Sequence, residues 1–416
     1  MPQGPYASFR IPDFRRFIVS LLTMTVGAQV QTIVVSWQIY GITHDPLSLG
    51  LIGLAEVVPF IAVALVAGHV ADRFDRRRIA LWSLGVLLAC ALSLVALSHS
   101  RVWVAVHGVW PFYIVIAIGG LARSFLMPAR NSLAVGLVPR ELLPNSIAWR
   151  SSTWQTGAVA GPALGGLLYG FAGVTATYAV QAALILVALV SFAMIRRSAP
   201  SEREAPREAV GDSLLSGLRF VWGEKVLLGA QTLDLFSVLL GGAEALLPVF
   251  ADRILHVGPE GLGVLRAAPA AGAMLMSLYM AHRPPFRRAG RTMLRAVAVF
   301  AVCIIAFGLS RSFALSAAVL LVSGMADNIS VLVRQTLLQV LTPPPLLGRV
   351  IAVNSIFVGS SNELGAFESG VTARLLGTVP AVVLGGTASL AVVGIVAGTI
   401  PALRRMGEIQ AKEGVA

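Results

Sequence analysis

Among the polar residues inside the long apolar runs of this 416-residue sequence, eight are candidates for transport chemistry: Gln31, Gln38, Glu56, Arg123, Asp234, Asp327, Glu363 and Glu368. Their types decide what they can do. A carboxylate at the centre of a bilayer costs about 2.5–3.5 kcal/mol if it faces lipid as an anion, so Glu56 must face protein or water, or carry a proton. Burial raises a carboxyl's affinity for protons and makes uptake and release feasible near neutral pH. Arg123 needs a carboxylate, a backbone carbonyl or an anionic ligand beside it. Gln31 and Gln38, seven apart, share one face of a helix and either bond a neighbouring helix or line a watery cavity. Glu363 and Glu368, five apart, point to different faces and need separate partners.

The elements that position these groups follow from composition. The chain is 56% hydrophobic and 12% charged, with a mean hydropathy of +0.80, too apolar to solvate a surface of its own. A crossing helix needs about 20 apolar residues. Twelve such runs occur, at 17–41, 48–70, 79–98, 110–128, 147–170, 175–195, 227–249, 260–281, 293–309, 314–333, 350–373 and 381–402. The fold class is all-α and integral to the membrane, and the first run stays as a helix because no cleavage site follows it.

The net charge of +12 is a topology signal and does not point to nucleic acid. Of the 32 Lys and Arg, four (Arg101, Arg253, Arg311, Arg374) fall in one set of loops and three (Arg123, Arg150, Arg266) inside spans; the other 25, Arg130 and Arg334 among them, fall on the opposite side. By the positive-inside rule that side is cytoplasmic, and so are both termini. Cys90 and Cys303 sit in spans without ligand-like spacing, so no metal site is expected. There is no nucleotide fingerprint and no cluster of nucleophile, base and orienting group, which argues against ATP drive and against an enzyme.

The densest charge lies between the second and third spans, where G-H-V-A-D-R-F-D-R-R-R runs from Gly68 to Arg78 and holds six charges in seven positions. This stretch resembles the signature loop of the major facilitator superfamily, G-x-x-x-D-R-x-G-R-R-R: Gly68, Asp72, Arg73, Arg76, Arg77 and Arg78 match, and Asp75 replaces a glycine. The resemblance implies a cytoplasmic gate latched through Asp72; a plain positive-inside anchor is the simpler reading. In the fifth span, Gly157, Gly161, Pro162, Gly165 and Gly166 form G-x-x-x-G-P-x-x-G-G, similar to the antiporter motif of that superfamily's exporters. Glycines four apart also make a generic groove for close helix packing. The segments around 246–269 and 360–370 resemble a drug/proton antiporter branch that includes enterobactin and macrolide exporters.

A repeat divides the chain. With an offset of 204, Arg130 aligns with Arg334, Pro139 with Pro343, Gly161 with Gly365 and Gly166 with Gly370, and residues 281–291 carry a degraded copy of the charged elbow at an offset of 213. Six helices separate the copies, so both keep the same side, as in a parallel repeat. The expected organisation is two pseudo-symmetric six-helix bundles, 1–195 and 226–416, joined by a polar linker, 196–225, that ends in an interfacial helix around Leu214, Leu215, Leu218 and Trp222.

The same offset sets Arg123 opposite Asp327. The resemblance implies a central cavity lined by spans 1, 4, 7 and 10, which would hold Arg123, Asp234, Gln231 and Asp327; interhelical ion pairs are the alternative for this set. The expected activity is alternating-access export of a small amphipathic or hydrophobic molecule, siderophore-like or drug-like, from a bacterial-type plasma membrane. A proton gradient supplies the energy and no cofactor is needed. The expected partners are the cargo, protons and lipids, with the chain as a monomer. The order of candidates for the proton carrier is Asp234, Asp327, Glu56, then Glu363 and Glu368. A proton-coupled importer and a lipid flippase or scramblase share the fold and remain as alternatives.

Overall fold

The computed structural model describes residues 4–100, 106–196, 210–282 and 288–407. Among them every regular element is helical. Chain chemistry sets the boundaries. α1 (Pro12–Thr43) starts with Pro12 in its first turn and Asp13 beside the positive end of its dipole, where Asp13 accepts from Arg16 at 2.7 Å. It ends at His44 in the left-handed region (φ 52°). α2 (Pro46–Arg73) and α3 (Arg76–His99) enclose the elbow, where Asp75 is the N-cap of α3 and accepts from the backbone N–H of Arg77 and Arg78. The residue that departs from the family pattern therefore has a local reason: aspartate is among the best N-caps.

α4 (Trp110–Gly136) follows, then α5 (Leu143–Ala193), whose 51 residues would span about 75 Å, far more than one bilayer. It turns back at Gly173, with φ 79° and ψ 175°, a conformation that a Cβ disfavours. α6 (Val210–Gly223) exposes Leu215 and Trp222. α7 (Lys225–Leu240) is shorter than the expected 227–249 span. It stops at Gly241 and Gly242, and the chain continues as a 3-10 turn (Ala243–Leu246) and a π-helical turn (Phe250–Ile254). α8 (Gly258–Ala281), α9 (Ala289–Leu309), α10 (Phe313–Leu341), α11 (Pro344–Leu376) and α12 (Thr378–Thr399) complete the crossings, and a short α13 (Pro401–Arg405) follows.

Ten described segments are long and apolar enough to span a membrane; one of them contains both arms of α5, and α11 is long enough to cross but polar. Together these make a twelve-crossing, all-helical membrane protein. Gly377, between α11 and α12, has φ 93° and ψ 157°, close to the backbone of Gly173. The two glycines are counterparts at the same offset that aligns Arg130 with Arg334. The sequence repeat thus extends to the conformation of the turn.

Two compact units result: Met1–His44 with Ala55–Pro206 and Val257–Ala267, and Asp45–Leu54 with Arg207–His256 and Ala268–Ala416. The first turns of α2 belong with the second unit, and the first turns of α8 with the first. Inside the first unit, Phe14, Phe17, Leu84, Leu126, Leu133 and Phe192 form the core. Inside the second, Leu227, Leu233, Met293, Leu337 and Leu403 do so. Lipid tails are as apolar as leucine, so shape matching and polar contacts hold these helices together more than the exclusion of water.

Candidate functional site: two ion pairs and two glycine faces

In the first unit α1 lies along α5, and the glycines of α5 explain how closely. A Cβ at Gly157 would meet Thr25 Cγ2 at 2.7 Å, one at Gly161 would meet Gln29 Cβ at 2.5 Å, and one at Gly165 would meet Val30 Cα at 3.1 Å. Gly166, on another face, lies against α8, with Pro259 O at 2.5 Å and Gly263 Cα at 2.8 Å from such a Cβ; the carbonyl of Pro162 opposes Gly263 in the same contact. The motif therefore serves two helices. The second unit repeats both contacts: Gly365 sets α11 against α7 at Val238 O and Leu239 O, and Gly370 meets Gly50 and Pro46 at the start of α2.

Polar contacts are threaded through this packing. Gln31 accepts from Gln181 Nε2 at 3.0 Å and Gln38 accepts from Tyr178 Oη at 2.8 Å, so these two glutamines of α1 bond the returning arm of α5. Gln181 and Tyr178 are buried, and no periodicity in the sequence singled them out as partners.

Two ion pairs stand out, one in each unit. In the first, Arg123 of α4 meets Glu56 of α2 at 2.8 Å, with side chains 25% and 33% exposed. Gly120, one turn before Arg123, allows the approach, because a Cβ there would meet Glu56 O at 2.6 Å. In the second, Arg334 of α10 pairs with Asp234 of α7, with side chains 5% and 7% exposed. One turn earlier on α7, Gln231 donates to Asn354 Oδ1 of α11 at 2.8 Å.

The repeat set Arg123 opposite Asp327, but each arginine takes a different acid. Arg123 finds Glu56 on α2, while Asp327 is half-buried and makes no ion pair or hydrogen bond among the described residues. Arg334 and Arg130, which fall among the cytoplasmic cations of the charge count, both lie within helices, because α10 and α4 run eight residues beyond the apolar runs that mark them. The alignment of Arg130 with Arg334 was the available signal. Glu363 and Glu368 have separate surroundings, Glu363 beside Gly53 of α2 and Glu368 accepting from Thr372 at 2.7 Å.

At the elbow, Arg77 donates to Ala193 O at the end of α5 at 2.6 Å, Arg78 is 82% exposed, and Arg76 is partly exposed. The backbone of α2 runs through Gly68, Asp72 and Arg73, but their side chains lie outside the described residues. The weaker elbow copy, at 283–287, also lies outside them, as do 197–209 of the linker. Among the described residues no group of three His, Cys, Asp or Glu could hold a metal.

The sequence profile of the family described as transmembrane secretion effectors, a major facilitator group, matches residues 3–413. The chain belongs to that family. An enterobactin exporter of Shigella boydii is 27% identical over 344 residues, covering 82% of this chain and 80% of the relative, and enterobactin exporters of Escherichia coli match to the same extent. Among solved structures, the nucleoside transporter NupG covers 93% of this chain and 99% of its own at a TM-score of 0.74 and 12% identity. A D-xylose–proton symporter covers 95% and 99% at 0.71 and 12%. A bacterial homologue of the iron transporter ferroportin covers 95% and 99% at 0.69 and 16%. These structural likenesses speak for the fold. This protein is thus a multi-pass membrane transporter of the major facilitator superfamily, with a small molecule as its substrate.

Proposed function

We propose that this transporter exports a small amphipathic or hydrophobic molecule, siderophore-like or drug-like, in exchange for protons. The observation that carries this reading is the presence in each unit of a membrane-embedded carboxylate held by an arginine, Glu56 by Arg123 and Asp234 by Arg334. Such a carboxylate is an anion while paired. Taking up a proton removes its charge and releases the arginine, which then needs another partner, so protonation and pairing exclude one another. Exchange follows when cargo binds the state that the proton vacates and each arrangement is open to one side only.

Asp234 is the first candidate for the carrier because it is the more deeply buried of the two paired acids and its loss of charge changes most. Asp327 stands second, since no cation among the described residues pairs with it. The enterobactin exporters at 27% identity support the outward direction and an amphipathic cargo. The excess of arginine on one side supports cytoplasmic termini in a bacterial-type plasma membrane, and the elbow with Asp72, Arg76 and Arg77 is then part of a cytoplasmic gate. The chain works as a monomer in this reading.

Everted vesicles from a pump-deficient host, offered a panel of siderophores and drugs, test it. Uptake of at least one compound, abolished by an uncoupler, is expected. Uptake that survives the uncoupler removes the proton from the scheme, and uptake only into right-side-out vesicles reverses the direction.

A further inference from the structure

A second pair of arginines in the first unit has no acid partner among the described residues. Arg130 of α4 and Arg150 of α5 are linked through Asn131, the neighbour of Arg130, to which Arg150 donates, and neither takes part in any ion pair among the described residues. The strongest acceptor that Arg130 meets is the thioether of Met24 on α1, at 3.6 Å. Arg150 donates to Asn131 Oδ1 at 3.1 Å and lies over the Phe17 ring at 5.7 Å from its centroid. A guanidinium carries five donors in a planar fork, and a thioether is a weak acceptor, so most of that capacity is unused. Both residues are partly exposed.

The second unit shows what such a site looks like when it is filled. Arg334 is the repeat counterpart of Arg130, and on α7 it meets the carboxylate of Asp234, where Arg130 on α1 meets Met24. One copy of the repeat brings its own anion. The other has a second arginine and an amide in place of it.

We infer that Arg130, Arg150 and Asn131 form an oxyanion-binding site, which takes a phosphate or carboxylate group between the two guanidinium forks. An oxyanion there relieves the repulsion between like charges and accepts the charge-assisted hydrogen bonds that Met24 cannot. Its source is either an anionic lipid headgroup or a free anion, the charged end of a cargo included. The site stands apart from the direction of transport and from the choice of proton carrier.

The test uses the full chain in nanodiscs. In phosphatidylcholine alone, the Tm is followed as sodium phosphate replaces sodium chloride at constant ionic strength. A second arm uses discs containing phosphatidylglycerol without phosphate, and native mass spectrometry counts the lipids retained. A rise in Tm of a few degrees with phosphate identifies a free anion, and selective retention of phosphatidylglycerol identifies a headgroup. Either effect weakens about tenfold or more in Arg130→Gln and in Arg150→Gln. Met24→Asp supplies the missing carboxylate and abolishes the effect while the protein still melts cooperatively. The inference is overturned if the wild type responds no more to phosphate than to chloride and retains no phosphatidylglycerol selectively. It is equally overturned if Met24→Asp and the two glutamine variants respond as the wild type does.

Discussion

Each paired acid makes a distinct prediction at the level of single residues. Asp234 and Arg334 are almost sealed from solvent, so Asp234→Asn leaves a buried cation without its partner and costs about 3–5 kcal/mol. Replacing both, as Asp234→Leu with Arg334→Met, should recover most of that stability while transport stays lost, because an apolar pair of similar volume avoids desolvating either charge. Thermal unfolding in nanodiscs together with vesicle uptake checks both halves of the statement. Glu56→Gln should be milder, about 1 kcal/mol, because Arg123 and Glu56 keep a quarter to a third of their side-chain surface exposed. An equal cost for the two substitutions would mean that exposure does not govern the strength of these pairs.

The residue types were legible from the sequence, and their partners were not. An arginine or carboxylate in an apolar run announces that it needs a partner, but the partner lies on a helix distant in the chain. Glu56 on α2 and Arg123 on α4 have α3 between them, and α8 and α9 intervene between Asp234 on α7 and Arg334 on α10. Their pairing depends on how the helices are rotated and on how close they come, and Gly120 sets the latter for the first pair.

At the level of the helix, the glycine face of α5 works by letting backbones approach, and this also can be measured. Gly161→Val puts a branched side chain where Gln29 Cβ and the Val26 carbonyl stand, on a helix that α1 follows for much of its length. It should reduce the yield of folded protein severely, and overpacking of this kind typically costs about 1–3 kcal/mol or more. Gly85→Ala on α3, where a Cβ would meet nothing within 4 Å, should be silent or slightly stabilising, since alanine favours the helix by about 1 kcal/mol. Size-exclusion profiles of the two variants in detergent compare them directly. The spacing of these glycines was plain in the sequence. That four of them serve α1 or α8 in turn was not, because a four-residue spacing gives one face and Gly166 adds a second.

The breaks were legible only in part. Gly173 and Gly377 are counterparts in the repeat, which the offset shows, and both turn the chain with positive φ, which it does not. The stop of α7 at Gly241 and Gly242 was read through as continuous helix, because the run stays apolar on both sides and hydropathy does not register backbone conformation. The run at 350–373 was legible as a span, and α11 there is long enough to cross although it is more polar than the other crossing helices.

Across the whole molecule, the two units are built on one plan with different charges. α5 on α1 is matched by α11 on α7, and the glycine contacts to the starts of α8 and α2 are matched as well. The acids break the symmetry: one unit pairs α2 with α4, the other pairs α7 with α10. A transporter that couples two fluxes benefits from that inequality, since a proton that binds both halves alike would favour neither state. The central claim is that a carboxylate of the second unit carries the coupled proton. Proteoliposomes loaded with a pH-sensitive dye, given a cargo identified in the vesicle screen, measure proton movement per cargo moved. Cargo-driven proton flux in the wild type, absent from Asp234→Asn or from Asp327→Asn while that variant still binds the cargo, is the predicted result. Full proton flux in both variants would contradict it.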